Sequence, residues 1–190
     1  MSRLVEGIAM SKIGRKPIPL YGAKVEINKD RLLISGSKGK FEYTLSDGLS
    51  AKLSDDGKFL AVTSEKDDRE TRTRWGLDRA LLANKIKGVE KGFEQGVKIV
   101  GLGYKAQVSG KKIVFTLGYS HKVEYMLPSE VTVEIDKSGQ KLLFRSTDKF
   151  LLGNVCDVVR QFKKPEPYKG TGIMWENEVI VRKAGKTKGA

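Results

Sequence analysis

The chain is poor in the residues from which most enzyme sites and secreted scaffolds are built. Among its 190 residues there is one cysteine, Cys156, and one histidine, His121. A single thiol cannot close a disulfide within the chain, and it fits a reducing, cytoplasmic compartment. A single imidazole excludes zinc sites built on paired histidines and any relay that shares two. Cys156 has no spaced ligand partner and falls beside an apolar helical stripe, so it reads as a small buried hydrophobe. His121 lies in Leu-Gly-Tyr-Ser-His-Lys-Val, a turn entering a strand, and reads as a polar group that is structural or faces a partner. Apolar runs are short, and none approaches the roughly 20 residues of a membrane span. The opening Met-Ser-Arg-Leu-Val-Glu-Gly-Ile-Ala is too short, and at Glu6 too acidic, for a signal peptide's apolar core. Asp67, Asp68, Glu130 and Glu134 show no pairing that differs from solvated faces. No nucleophile elbow, phosphate loop or metal-ligand cluster occurs, so the chain is expected to be no enzyme and to need no cofactor, metal or small-molecule substrate.

Acidic residues are also in deficit, 23 against 36 lysines and arginines, which leaves a formal net charge of +13. Self-repulsion on that scale is costly unless a polyanion shares the surface. Nucleic acid is the first candidate and anionic lipid the second. The hydrophobic fraction of 39% is modest yet well above that of a disordered chain.

The order of the elements repeats. In the first half, strands are predicted over 24–27, 31–35, 40–45 and 59–63, separated by Asn28-Lys29-Asp30, Gly36, Asp47-Gly48 and Asp55-Asp56-Gly57. A helix over 68–86 follows, with Trp75, Leu82 and Ile86 at helical spacing, and Gly88 and Gly92 are expected to stop it. In the second half, strands are predicted over 97–100, 104–108, 112–117, 123–127, 131–135 and 141–145. A helix over 148–162 comes next, capped by Thr147 or Asp148 and striped by Leu151, Val155, Val159 and Phe162. The pattern implies an α+β fold of two tandem similar domains, each an antiparallel sheet covered by one main helix. The boundaries read as an N-terminal extension over 1–9, domains over 10–92 and 93–175, and a basic tail over 176–190.

Gly101-Leu-Gly-Tyr-Lys-Ala106 has the spacing of a dinucleotide-binding fingerprint and follows a strand. That fingerprint needs a helix N-terminus next, because the free N–H groups there hold the pyrophosphate. A hairpin sequence follows instead, so the glycines read as permitting a sharp bend. A nucleotide-dependent enzyme using this loop is one rival reading. A basic membrane-surface adaptor is another, and no strongly basic amphipathic helix supports it.

The cations cluster elsewhere. Residues 159–172, Val-Arg-Gln-Phe-Lys-Lys-Pro-Glu-Pro-Tyr-Lys-Gly-Thr-Gly, join the end of a helix to a segment that Pro165 and Pro167 keep from being helical. It is expected to run extended over the surface and to present Lys163, Lys164, Tyr168 and Lys169, with Gly170 and Gly172 allowing close approach. Arg160 precedes it on the helix. Lys12, Arg15 and Lys16 precede Pro17 and Pro19 near the start, and Arg182, Lys183, Lys186 and Lys188 sit on what reads as a flexible tail. Arg69, Arg72, Arg74 and Arg79 on the first helix are offset by Glu65, Asp67, Asp68, Glu70 and Asp78. Stiff cationic loops with an aromatic ring suit a phosphate backbone with bases to stack on. Folded RNA is favoured over DNA, because no helix carries a concentrated basic reading face.

From Met10 to about Lys188 these residues resemble the bacterial-type family of the sixth protein of the large ribosomal subunit. Met10-Ser-Lys-Ile-Gly-Arg-Lys-Pro-Ile resembles its usual start. Gly101-Leu-Gly-Tyr-Lys-Ala, Leu117-Gly-Tyr-Ser-His and Pro165-Glu-Pro-Tyr-Lys-Gly-Thr-Gly-Ile resemble its internal signatures. The resemblance implies two α+β domains from a duplication and binding to large-subunit ribosomal RNA, mainly through the second domain. It also implies a place near the sarcin–ricin loop and the stalk base, beside neighbouring ribosomal proteins. Lys122 departs from the family's common proline, and Thr171 and Met174 from its usual basic residues, while Trp175 keeps an aromatic there.

Overall fold

Alternating apolar and polar side chains build most of the strands, and two caps place the helices. The computed structural model describes residues 11–65 and 68–185. The expected extension over 1–9, Met10, Asp67, Lys186 and Lys188 lie outside the described residues. The chain divides into two units, Met1–Gly92 and Phe93–Ala190.

In the first unit, β1 (Ile18–Pro19), β6 (Phe59–Ser64) and β5 (Leu49–Leu53) form one antiparallel sheet in the order β1-β6-β5. The meander β2 (Lys24–Asn28), β3 (Arg31–Gly36) and β4 (Gly39–Thr44) forms a second. Helix α1 (Arg69–Glu90) covers them, with the Asp68 carboxylate accepting from Thr71 N at 2.6 Å. Trp75, Leu82, Ile86 and Val89 bury one stripe of that helix among Ile18, Leu32, Ile34, Leu60 and Val62.

The second unit repeats this topology. Strands β7 (Phe93–Val100), β12 (Lys141–Ser146) and β11 (Val131–Ile135) stand as β1, β6 and β5 do. The meander β8 (Lys105–Ser109), β9 (Lys112–Thr116) and β10 (Val123–Met126) stands as β2 to β4 do. Helix α2 (Lys149–Gln161) covers the sheet, and the Asp148 side chain caps it by accepting from Phe150 N at 2.9 Å. Leu152, Val155, Cys156 and Val159 are its buried face, with Leu151 and Phe162 packed at the margin. One strand has no counterpart in the first unit: β13 (Gly172–Trp175) pairs antiparallel with β7 and lengthens the sheet to four strands.

Several sequence expectations need correction. Helix α1 runs through Gly88 rather than stopping there. Val89 is fully buried, and its carbonyl accepts from Lys38 N at 2.8 Å, so packing outweighs the roughly 1 kcal/mol cost of a helical glycine. The stop is made by Gly92, whose φ of 74° is the left-handed conformation expected just past a helix end. Asp78 does not offset the surface arginines of α1, because it is buried. It accepts from the Tyr43 hydroxyl at 3.0 Å and from Ser46 N at 2.8 Å, which ties α1 to β4 and the turn beyond.

Candidate nucleic-acid interface

In the first unit, the segment carrying Lys12, Arg15 and Lys16 is a tight turn rather than a loose arm. Ser11 Oγ accepts from Gly14 N at 3.2 Å, and Ser11 O accepts from Arg15 N at 3.3 Å. Arg79 on α1 donates to the carbonyls of Lys16 and Pro17, at 3.0 and 3.2 Å. Arg79 is thereby committed to holding the segment, while the Lys12, Arg15 and Lys16 side chains are exposed. Arg74 pairs with Glu70 one turn earlier on the helix.

In the second unit, the proline-bearing segment does not run extended across the surface. It folds into a closed loop with its turn at residues 167–169. Glu166 N donates to Thr171 O at 3.1 Å, Thr171 Oγ1 donates to the Glu166 carboxylate at 2.7 Å, and Ile173 N donates to Lys163 O at 2.7 Å. The loop closes this tightly because Gly172 has no side chain. A Cβ there would lie 2.7 Å from Lys164 O and from Pro165 Cα. The close approach expected at Gly172 is therefore to the chain itself. Lys164, Tyr168 and Lys169 are left exposed on the outer side of the loop.

Arg160 does not join them. Its guanidinium grips Glu178 through two hydrogen bonds, at 3.1 and 2.5 Å, with both side chains about three-quarters covered. The Glu178 carboxylate also accepts from Trp175 N at 3.1 Å. Arg160 beside it holds the Glu178 carboxyl below its ordinary range. The pair clamps the end of α2 to the turn after β13. The described part of the tail is likewise not loose: Glu176 N donates to Gly96 O at 2.9 Å, Lys98 Nζ to Glu176 O at 2.7 Å, and Lys183 N to Pro167 O at 2.8 Å. The Arg182 and Lys183 side chains remain exposed.

Lys163 is drawn inward by comparison. Its ammonium lies 4.2 Å from the Tyr119 ring centroid and 5.5 Å from that of Tyr104. The Tyr119 hydroxyl donates to Phe162 O at 3.0 Å, and the Tyr119 ring stacks with His121 at 5.9 Å and 13°. Sequence reasoning left Tyr104 and Tyr119 out of the site. Both tyrosines fall in two of the family-like signatures, yet no sequence periodicity brings those two short glycine-bearing loops together. Those loops meet on Tyr104, since a Cβ on Gly101 or on Gly118 would strike its ring. Gly101 of the fingerprint-like run thus makes room for a tyrosine, and strand β8, not a helix, follows.

The model of the family described as Ribosomal protein L6 matches residues 21–92 and again residues 100–175, one match in each unit. The chain belongs to the ribosomal protein L6 family. It is 42% identical over 181 residues to the large ribosomal subunit protein uL6 of Syntrophomonas wolfei, covering 95% of this chain and 99% of that one. It is 43% identical over 180 residues to the protein of the same name from Synechococcus sp. strain WH7803, covering 94% and 98%. The Geobacter sulfurreducens protein of that name is 42% identical over 179 residues, with 94% and 98% covered. The L6 family is one of ribosomal proteins and not of enzymes, which removes the nucleotide-dependent rival. Both repeats of the family therefore occur here as the two topologically equivalent α+β units.

Proposed function

We propose that this chain is a structural constituent of the large ribosomal subunit in the cytoplasm, where it binds large-subunit ribosomal RNA and supports translation. The observation that carries this reading is the near-complete coverage, in both directions, of relatives named as large-subunit proteins. The surface chemistry agrees with it. An excess of cations is presented by short, internally braced loops, and a polyanion of defined shape rewards such preorganisation.

In this reading residues 10–92 and 93–175 act as two domains, with an extension at 1–9 and a basic tail at 176–190. Lys12, Arg15 and Lys16 form one phosphate-neutralising patch. Lys163, Lys164, Lys169, Arg182 and Lys183, continued by Lys186 and Lys188, form the other, with Tyr168 available to stack on a base or sugar. Arg160 is withdrawn from the contact set, because its charge is already matched by Glu178. The RNA target lies near the sarcin–ricin loop and the stalk base, with the neighbouring ribosomal proteins of that region as partners. This placement rests on the family signatures at residues 101–106, 117–121 and 165–173.

Sedimentation of tagged protein from lysate through a sucrose gradient, after a high-salt wash, tests the reading. Co-migration with the large subunit is expected. Migration as free protein at the top of the gradient would overturn it.

A further inference from the structure

The cluster around Tyr119 has a form that neither a core nor a solvated surface requires. Tyr119 and His121 are both exposed, yet their rings lie nearly parallel, and a lysine is held over Tyr119. Three elements are spent on this arrangement: the turn after β7, the loop between β9 and β10, and the end of α2. Tyr104 is the hinge on which they meet. At the tip of the first turn Leu102 stands wholly in solvent, an apolar side chain with no cover. The neighbouring surface is a groove of about 940 Å³ whose lining includes Lys105, Gln107, Lys122, Lys137 and Ser138. Lys105, Lys122 and Lys137 make no ion pair among the described residues, and the one carboxylate in the lining, Asp136, is occupied by Ser138 Oγ at 2.8 Å.

Resting on the ribosomal reading above, we propose that this cluster is a site for an unpaired nucleotide of RNA, separate from the Lys164–Tyr168–Lys169 loop. The base stacks on the exposed Tyr119–His121 rings with Leu102 as an apolar neighbour. The flanking phosphates enter the groove lined by Lys105, Lys122 and Lys137. Duplex RNA does not satisfy the site, because its bases are already stacked and offer no free face. Stacking of this kind accepts any base, so the site selects a flipped-out or looped nucleotide by its exposure rather than its sequence.

The test uses the full chain and deproteinised large-subunit ribosomal RNA over a range of salt. Tyr119→Leu combined with His121→Leu is expected to weaken binding about tenfold or more without altering the salt slope. Tyr119→Phe, which keeps the ring and loses only the bond to Phe162 O, is expected to bind as the wild type. Replacing Lys105, Lys122 and Lys137 by Gln is expected to reduce the slope of log K against log salt by about 2. Ultraviolet crosslinking of the wild-type complex is expected to attach a nucleotide to the peptide holding Tyr119 and His121, and this readout stands even if the double variant does not fold. Wild-type affinity in a folded double variant, or crosslinks confined to other peptides, would overturn the site while leaving the ribosomal reading intact. Failure of the wild-type chain to bind the RNA at all would overturn both.

Discussion

At the scale of single residues, the informative positions are polar or reactive groups held inside the two cores. Asp78 is buried on α1 and accepts from both the Tyr43 hydroxyl and Ser46 N. Burial first, then the hydrogen bond to Asp78, pushes the Tyr43 phenol well above its ordinary value, so that hydroxyl stays a donor throughout the physiological range. Asp78→Ala leaves two donors without an acceptor and is expected to cost about 3 kcal/mol in denaturant unfolding. Asp78→Asn retains one acceptor and is expected to cost about half as much on the same principle. Equal losses in the two variants would mean that side-chain volume, not hydrogen bonding, is what the position supplies. Cys156 makes the complementary case. It has no measurable exposure, and burial pushes its thiol up to about 12. A thiolate is the nucleophile, so iodoacetamide at pH 8 is expected to leave the folded chain unmodified and to label it in denaturant. Rapid labelling of the native chain would show that α2 opens far more readily than its packing implies.

At the scale of elements, what the sequence reveals depends on whether a contact leaves a periodic trace. The α1 stripe of Trp75, Leu82 and Ile86, the α2 stripe around Val155 and Val159, and the alternating meanders all do, and all appear at nearly the expected positions. Strands β1 and β13 do not. Each is short and flanked by proline or glycine, and each exists only because another strand, β6 or β7, offers it a free edge. Strand β5 fails for a different reason, since Leu-Ser-Ala-Lys-Leu carries little β-branched or aromatic character. The candidate site follows the same division. Its cations were legible from composition and its stiffness from the prolines. The pairing of Arg160 leaves no such trace, because its partner Glu178 lies eighteen residues away, a separation no local rule connects.

That pair supports a prediction at this scale. The Glu178 carboxyl is held low chiefly by its hydrogen bonds from Arg160, so the stabilisation it brings is present well above the ordinary glutamate value of 4.5 and is lost as the pH falls through the depressed one. Arg160→Met is therefore expected to lower the thermal midpoint at pH 7 and to differ little from the wild type at the acid end. A deficit that stays constant as the pH falls would point to lost packing of the arginine stem instead.

At the scale of the whole molecule, a net charge of +13 would be a liability for a solitary protein, and its distribution shows how it is used. Some of the 36 cations are spent internally, in Arg160–Glu178, Arg74–Glu70 and the Arg79 contacts that pin the first loop. Lys12, Arg15, Lys16, Lys164 and Lys169 project from braced loops. Cations that are already paired release no counterions when RNA binds, so the salt dependence of binding counts only those that are free. Lys164→Gln with Lys169→Gln is therefore expected to lower the slope of log K against log salt by about 0.7–0.9 per lysine removed, while Arg160→Gln leaves the slope unchanged in a chain that still folds. Filter binding of large-subunit ribosomal RNA from 50 to 500 mM salt measures both variants against the wild type. A fall in slope for Arg160→Gln as large as that for one of the lysines would show that Glu178 surrenders its partner to the RNA, and that the clamp opens on assembly.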